Sequence, residues 1–591
     1  MSKDLLPTSR EEMEARGWNE LDVIIVTGDA YVDHPSYGAA MIGRALEKEG
    51  FRVGVISQPD RRSPDEIMKL GRPRLFFGVT AGNLDSLVAN YTANRKPRSE
   101  DDYSPGGKAG LRPDRATLHY TNMARSAFPG AGVVIGGIEA SLRRLSHYDY
   151  WSDKVRRSIL LDSKADILVY GMGEKQTIEI AGRVASGEDI GKLDGIRGTV
   201  VVRNSLEYLK DFIPIPSYEE VSKNKDKFNE AFRKIYEEQD PQRGRTIVQK
   251  HGERFVVQFP PALPLDSEDM DSLYGASFAM RPHPSYDKEG GVPGFETVRW
   301  SVVSHRGCPG ECSFCSLYMH QGRIVQSRTR RSILDEIKRL AARGDFKGTI
   351  TDIGGPTANL YGAECGQWKT KGTCRGRKCI VPEKCRNLKP GYKETLRLWR
   401  DAAKIPGVKN IFIGSGVRYD LLLDKDSDEY LKALCEYHVS GQLKVAPEHS
   451  EKAVLDLMHK PGFEMYKKFV RRFEDINRRL GKKQYLVNYI ITAHPGSTLG
   501  DALNLALELK KARIRPEQIQ DYLPLPMTLA GCIYHTERDP FTGKKVYVPK
   551  GLRERKLQRA LIQYSQPQNK RYVIEALRSL GRMDLMKEFY G

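Results

Sequence analysis

The sequence has no long apolar run. Nothing in its 591 residues approaches the ~20 consecutive apolar residues that cross a bilayer. The opening stretch, MSKDLLPTSREEMEARGW, carries acids and no apolar core, which argues against a secretory signal. The expectation is a cytoplasmic protein with no membrane partner. Cysteine is scarce too, at nine residues. In a reducing compartment so few thiols do not read as a disulfide framework, so clustered ones point to metal ligands or catalytic groups. Acids are outnumbered, 76 against 95 basic residues, for a net charge of +19. Basic residues concentrate after residue 541, at Lys544, Lys545, Lys550, Arg553, Arg555, Lys556 and Arg559, where few acids answer them. Such a balance attracts RNA, DNA or anionic small molecules, but charges of both signs interspersed also describe an ordinary solvated surface. Hydrophobic residues are plentiful at 39%. At about 150 residues per domain, the length suggests three to four domains.

Residues 20–200 alternate apolar strands with helices. The strands are LDVIIVTG (21–28), RVGVIS (52–57), RLFFGVT (74–80), GVVIGG (132–137) and ADILVYGM (165–172). Continuous apolar strands between helices predict an α/β domain with a doubly wound, mostly parallel sheet over 1–204, and such sheets bind ligands at the carboxyl ends of their strands. The polar, Gly- and Pro-rich stretch 91–115 reads as a long functional or disordered loop. Residues 205–295 read as a connector. From 296 to 535 a second βα pattern runs through strands at 297–304, 347–354, 408–415, 441–448, 484–492 and 518–525, which predicts a partial (βα)6 barrel with its reactive groups after the strand ends. A basic, helical C-terminal region covers 536–591.

After the first barrel strand comes RGCPGECSFCSLY, in which Cys308, Cys312 and Cys315 are spaced x3 and x2. Three thiolates so spaced can wrap one [4Fe-4S] cluster. A fully ligated cluster takes four cysteines, so three leave one iron open. An open iron can chelate the amino and carboxylate groups of S-adenosylmethionine (SAM). Reduction then cleaves the sulfonium to a 5′-deoxyadenosyl radical that abstracts hydrogen from a substrate. Reduction calls for an electron donor of flavodoxin or ferredoxin type. A zinc site or incidental buried cysteines is the rival reading. Phe314 and the place of the triad after the first strand favour the cluster.

Candidate SAM contacts follow the strand ends. By resemblance to radical SAM enzymes, Phe314 is expected beside adenine and Gly354 and Gly355 at the methionyl amino group; Ser415 or Glu448 could bind the ribose hydroxyls, and Arg418 a carboxylate of SAM or substrate. His494, Asp521 and Tyr522 are weaker candidates on the same rim. A second cysteine group, Cys365, Cys374, Cys379 and Cys385, lies in a basic insert at 361–390 with spacings x8, x4 and x5. Free thiols there would be a redox liability, so zinc or a second iron-sulfur cluster is expected, with no common spacing to choose between them. Cys435 and Cys532 read as structural.

Several segments taken together resemble the YgiQ-type radical SAM family: GDAYVDHPSYGAAMIGRALE, FFGVTAGNLDSLVANYTANRKPRSEDDYSPGG, VIGGIEASLRRLSHYDYWSDKVRRSIL, the triad loop, DIGGPTANLYG, KVAPEHS, HPGST and DYLPLPMT. The resemblance covers nearly the whole chain. It implies an N-terminal domain of its own type before a radical SAM barrel and a cysteine-rich insert after the second strand, and it implies no substrate. The chain stops soon after GRMDLMKEFYG, short of any longer basic tail in relatives. The N-terminal domain also resembles cobalamin-binding domains, and YGMGEKQTIEI (170–180) matches their turn-to-helix segment. The Asp-x-His-x-x-Gly ligand pattern is absent, since Asp33-His34-Pro35-Ser36-Tyr37-Gly38 has another spacing. Cobalamin is therefore open but not favoured against a degenerate domain. The functional expectation is a radical SAM enzyme acting on an unassigned substrate, with a peptide or protein side chain, RNA or a small molecule as competing classes. A non-catalytic, metal-stabilised RNA-binding protein is the alternative.

Overall fold

The computed structural model describes residues 4–63, 65–516 and 518–591; Met1–Lys3, at the start of the segment read as lacking a signal, lie outside them. Two compact units emerge. One takes the chain through residue 303 with 319–336 and 369–373; the other takes 304–318, 337–368 and 374–591. Among the described residues no helix is long and apolar enough to cross a membrane.

The first unit is built on one nine-stranded sheet. Its strands are β1 (Val23–Thr27), β2 (Val53–Ser57), β3 (Phe76–Thr80), β4 (Gly132–Gly136), β5 (Ile167–Val169), β6 (Thr199–Arg203), β7 (Ile213–Ile215), β8 (Ile247–His251) and β9 (Arg254–Gln258), in the order β7-β8-β9-β6-β5-β4-β3-β1-β2. From β2 to β5 every pairing is parallel. All five residues of β1 are buried, as expected of a strand covered on both faces. These five strands are the ones expected from the apolar runs. The connector reading differs from the structure: β6 runs antiparallel to β5, and β7, β8 and β9 from 205–295 extend the same sheet. Short strands such as IPI carry too few residues for a period, so their membership is set by pairing with a neighbour.

In the second unit a three-stranded parallel sheet joins Gln442–Glu448, Tyr485–Thr492 and Gln518–Asp521. The earlier βα units have short strands, such as Thr349–Ile350 beside Asn410–Ile411. The strand expected at 297–304 is partly helix, Pro293–Val298, because proline at its first positions presets a helical φ. Helix Phe463–Leu480 ends on Gly481 in the left-handed region, and Leu499–Lys511 starts on a Thr498/Asp501 capping box. The C-terminal helices Leu552–Ile562 and Lys570–Ser579 share an apolar core with Leu499–Lys511, through Leu503, Leu557, Leu561 and Val573. Their basic residues are answered within the unit: Arg553 pairs with Glu575, Arg559 with Asp521, and Lys556 lies over the Tyr572 ring.

Candidate metal centre

The triad loop is pinned at several points inside the second unit. The Ser313 N–H donates to the Met458 carbonyl at 3.0 Å, the Ala530 N–H donates to the Ser313 carbonyl at 2.9 Å, and His459 Nδ1 lies 2.9 Å from the Glu311 carbonyl. Within the loop the Cys315 N–H closes a turn on the Cys312 carbonyl at 2.9 Å. Burial pushes Cys308 up to about 11, with the Arg418 charge pulling against it and the Cys312 charge adding to it. Burial also pushes Cys315 up to about 12, reinforced by Cys312 and Cys308.

Arg418 occupies an unexpected position. Its Nη1 reaches Cys312 Sγ at 3.6 Å, and its other nitrogens bind the Asp420 carboxylate. A Cβ at Gly310 would meet Arg418 Nη1 at 2.6 Å and Cys308 Sγ at 3.3 Å, so glycine is what lets the guanidinium approach the loop. Burial works against the Arg418 charge, but Asp420 and the thiolates outweigh it and hold the residue protonated. Asn359 fixes the backbone: its Nδ2 donates to the Arg418 carbonyl and its Oδ1 accepts the Arg418 N–H, both at 2.9 Å. Lys460 is a second cation near Cys308 and lies 3.6 Å from Glu448. Glu448 is buried with φ +66°; burial raises its carboxyl, and Lys460 followed by Arg418 opposes the rise. Two buried cations beside grouped thiols suit a group that carries net negative charge when the thiols are deprotonated. The residues fit an iron-sulfur cluster.

The other expected contacts fall as follows. Ser415 is held by Asp352, whose Oδ1 accepts the Ser415 hydroxyl at 3.1 Å and the Gly414 N–H at 2.8 Å. A Cβ at Gly354 would strike Ser415 and Asp352, and one at Gly355 would meet the His305 carbonyl oxygen at 2.6 Å. Internal packing thus already demands both glycines. Phe314 is half-buried and meets the His494 ring edge-on, with centroids 6.0 Å apart. His494 is buried and held down to about 3 by desolvation, and its ring lies 4.9 Å from that of Tyr522. Sequence reading missed Asn359, Asp420 and Lys460. The only signal for any of them was Asp420 two places after Arg418.

The first unit treats its own rim differently. β1 pairs with β2 on one side and β3 on the other, so the topological switch lies between β1 and β3. That crevice is filled by Arg112, from the long loop at 91–115. Its side chain is fully buried, binds Asp29 Oδ1 at 2.7 Å and Asp101 at 3.1 Å, and donates to the Ala81 carbonyl. A Cβ at Gly28 would strike the Ala81 carbonyl. The crevice residues do not fit cobalamin at the switch point.

Comparison with known proteins gives the class first. A family profile described as Radical SAM N-terminal matches residues 5–301, one described as Radical SAM superfamily matches 302–509, and a domain of unknown function matches 517–588. The protein is an enzyme of the radical SAM class. A UPF0313 protein of Methanocella arvoryzae is 50% identical over 578 residues, 98% of this chain and 96% of that protein, and one of Clostridium botulinum strain 657 is 50% identical over 583 residues, 99% and 91%. The chain belongs to the UPF0313 family, the YgiQ-type radical SAM proteins. Among solved structures it is similar to the radical SAM methyltransferase TsrM from Kitasatospora setae, with cobalamin and [4Fe-4S] cluster bound, at 16% identity and TM-score 0.49, covering 86% of this chain and 73% of that one. It is also similar to the cobalamin-dependent enzyme OxsB, at 11% identity and TM-score 0.46, covering 90% and 58%.

Proposed function

We propose that Cys308, Cys312 and Cys315 hold a [4Fe-4S] cluster with one open iron for SAM, and that the protein cleaves SAM reductively to abstract hydrogen from a substrate. The observation that carries this reading is the grouping of three half-buried cysteines with Arg418, whose guanidinium reaches Cys312 Sγ, and Lys460. When bound, the cluster and SAM supply the 5′-deoxyadenosyl radical; the protein supplies position and exclusion of water. Its residues divide that work. Arg418, clamped by Asn359 and Asp420, offsets thiolate charge. Glu448, set beside Lys460, is placed to accept from the ribose hydroxyls. Phe314, Gly354, Gly355 and Ser415 line the same strand ends as candidate SAM contacts. The electron donor is of flavodoxin or ferredoxin type, the radical acceptor is a peptide side chain or RNA, and the setting is the cytoplasm.

Anaerobic reconstitution followed by dithionite with SAM tests this. Wild-type protein is expected to release 5′-deoxyadenosine, and Cys308→Ala, Cys312→Ala and Cys315→Ala to fall to background while the first unit stays folded by circular dichroism. Near-wild-type release from any one of them would remove the assignment. Mass changes in peptide and RNA pools separate the two acceptor classes. RNA retention by the protein without any 5′-deoxyadenosine would favour the non-catalytic binder.

A further inference from the structure

The insert between the second strand and the next helix is an ordered lobe without regular structure. From residue 361 to 391 it has no helix and no strand, only a single-residue bridge of Glu364 with Lys389. Yet Trp368, Ile380, Val381 and Leu388 are buried. An irregular segment of about 30 residues with so few apolar anchors is too small to hold a core unaided, and such lobes are ordinarily cross-linked by disulfides or a metal.

The four cysteines of the insert all belong to the second unit, and contacts tie them in pairs. Cys379 is buried, and Cys365, Cys374 and Cys385 are half-buried; none forms a disulfide. Two of them open tight turns, the Trp368 N–H donating to the Cys365 carbonyl and the Leu388 N–H to the Cys385 carbonyl, both at 3.0 Å. The Cys312 turn of the triad loop has the same form. The Cys385 N–H also donates to the Cys379 carbonyl at 2.9 Å, which ties two of the four together. Cys374 Sγ lies 3.7 Å from Gln367 Oε1, two residues after Cys365, which ties the other two together. Among the described residues no three donors are closed up as around a bound ion. The turns and contacts of the insert set the grouping.

We infer that Cys365, Cys374, Cys379 and Cys385 form a tetrathiolate metal centre, separate from the triad, that cross-links the insert. Its ligand chemistry is that of a soft cation bound by four thiolates, zinc or a [4Fe-4S] cluster; either takes a fully ligated four-cysteine set with no open position. The insert is basic around these cysteines, with Arg375, Arg377 and Lys384, which suits the net negative charge of such a centre. The assignment does not depend on the triad's own cluster.

The test therefore removes the triad. Full-length protein carrying Cys308→Ala, Cys312→Ala and Cys315→Ala is purified anaerobically and offered zinc chloride, or ferrous iron with sulfide. It should retain about one zinc without charge-transfer absorbance, or about four irons with matching sulfide; the first defines a structural clamp and the second a second cluster. Adding Cys379→Ser and Cys385→Ser should cut metal content more than tenfold. If that variant does not fold, thiol counting on the triad-free protein decides instead. The four thiols should resist alkylation until a chelator is added and become reactive afterwards. A folded triad-free protein that takes up neither metal, or whose four thiols react at once without chelator, would overturn the inference.

Discussion

The switch-point crevice of the first unit and the triad loop of the second both gather buried charge at the carboxyl ends of strands, and they do so to opposite ends. In the crevice each charge has its answer: Arg112 lies between Asp29 and Asp101, and the Asn83 N–H donates to the second Asp29 oxygen at 2.7 Å. In the triad loop the buried cation is only partly answered by carboxylate. Arg418 shares itself between Asp420 and the Cys312 thiol, and Lys460 stands near Cys308. A buried charge closed within the protein is structural, because opening it would leave an uncompensated ion. Buried cations turned toward grouped thiols prepare a place for negative charge that arrives with a bound group. The domain whose topology most resembles a ligand binder has filled its own crevice, and the second unit keeps a chemically prepared site.

The largest expected effect breaks this contrast on the first side. Arg112→Leu leaves Asp29 and Asp101 buried without their cation and should destabilise the first unit by about 3–5 kcal/mol, read from urea unfolding. Iron content at the triad should not change. A variant of full stability would show that the crevice network is not what closes the domain. The same substitution sharpens the cobalamin question: if the emptied crevice took up cobalamin, Arg112 would be a plug and not a sign of a different domain.

Arg418→Met acts on the second side. Removing a positive charge next to the thiolates disfavours the more negative, reduced state, so the cluster potential should fall by on the order of 60 mV, equivalent to tenfold in a one-electron equilibrium. Arg418→Lys should recover part of the loss by restoring the charge without the fork. An unchanged potential, read by EPR-monitored titration at equal iron content, would return Arg418 to the role of SAM carboxylate partner.

The smallest effect treats both units alike. His147 and His251 in the first unit and His449 and His494 in the second are held neutral by burial, the first three at about 4 and His494 at about 3. Their folded values lie below the unfolded value of about 6.5. The unfolded chain therefore takes up protons first as pH falls. Their contribution to stability is complete above about 6.5 and is lost progressively toward the folded values. The melting temperature should be flat from pH 8 to 7 and decline below 6.5 in apo protein. A midpoint that rose on acidification would contradict the neutral burial of these rings.

Much of this protein was legible in its residues. The five apolar runs of the N-terminal sheet, the helices between the later strands, the triad and the cysteine-rich insert are all local patterns, and a period or a spacing is carried by adjacent residues whatever the rest of the chain does. What the sequence left undecided depends on residues far apart meeting. Nothing local to strands β7, β8 and β9 announces which sheet they join, so pairing with β6 had to settle it. Arg112 reads as one more basic residue in a polar loop until Asp29, 83 positions earlier, closes on it. Arg418 sits at a strand end suited to SAM, but Asn359 and Asp420 turn it toward a thiol 106 positions away. The sequence determined which side chains can bind metal and where the strands and helices begin. Tertiary packing alone decided which buried charges face each other, because desolvation and Coulomb attraction depend on distances in space that spacing along the chain does not encode.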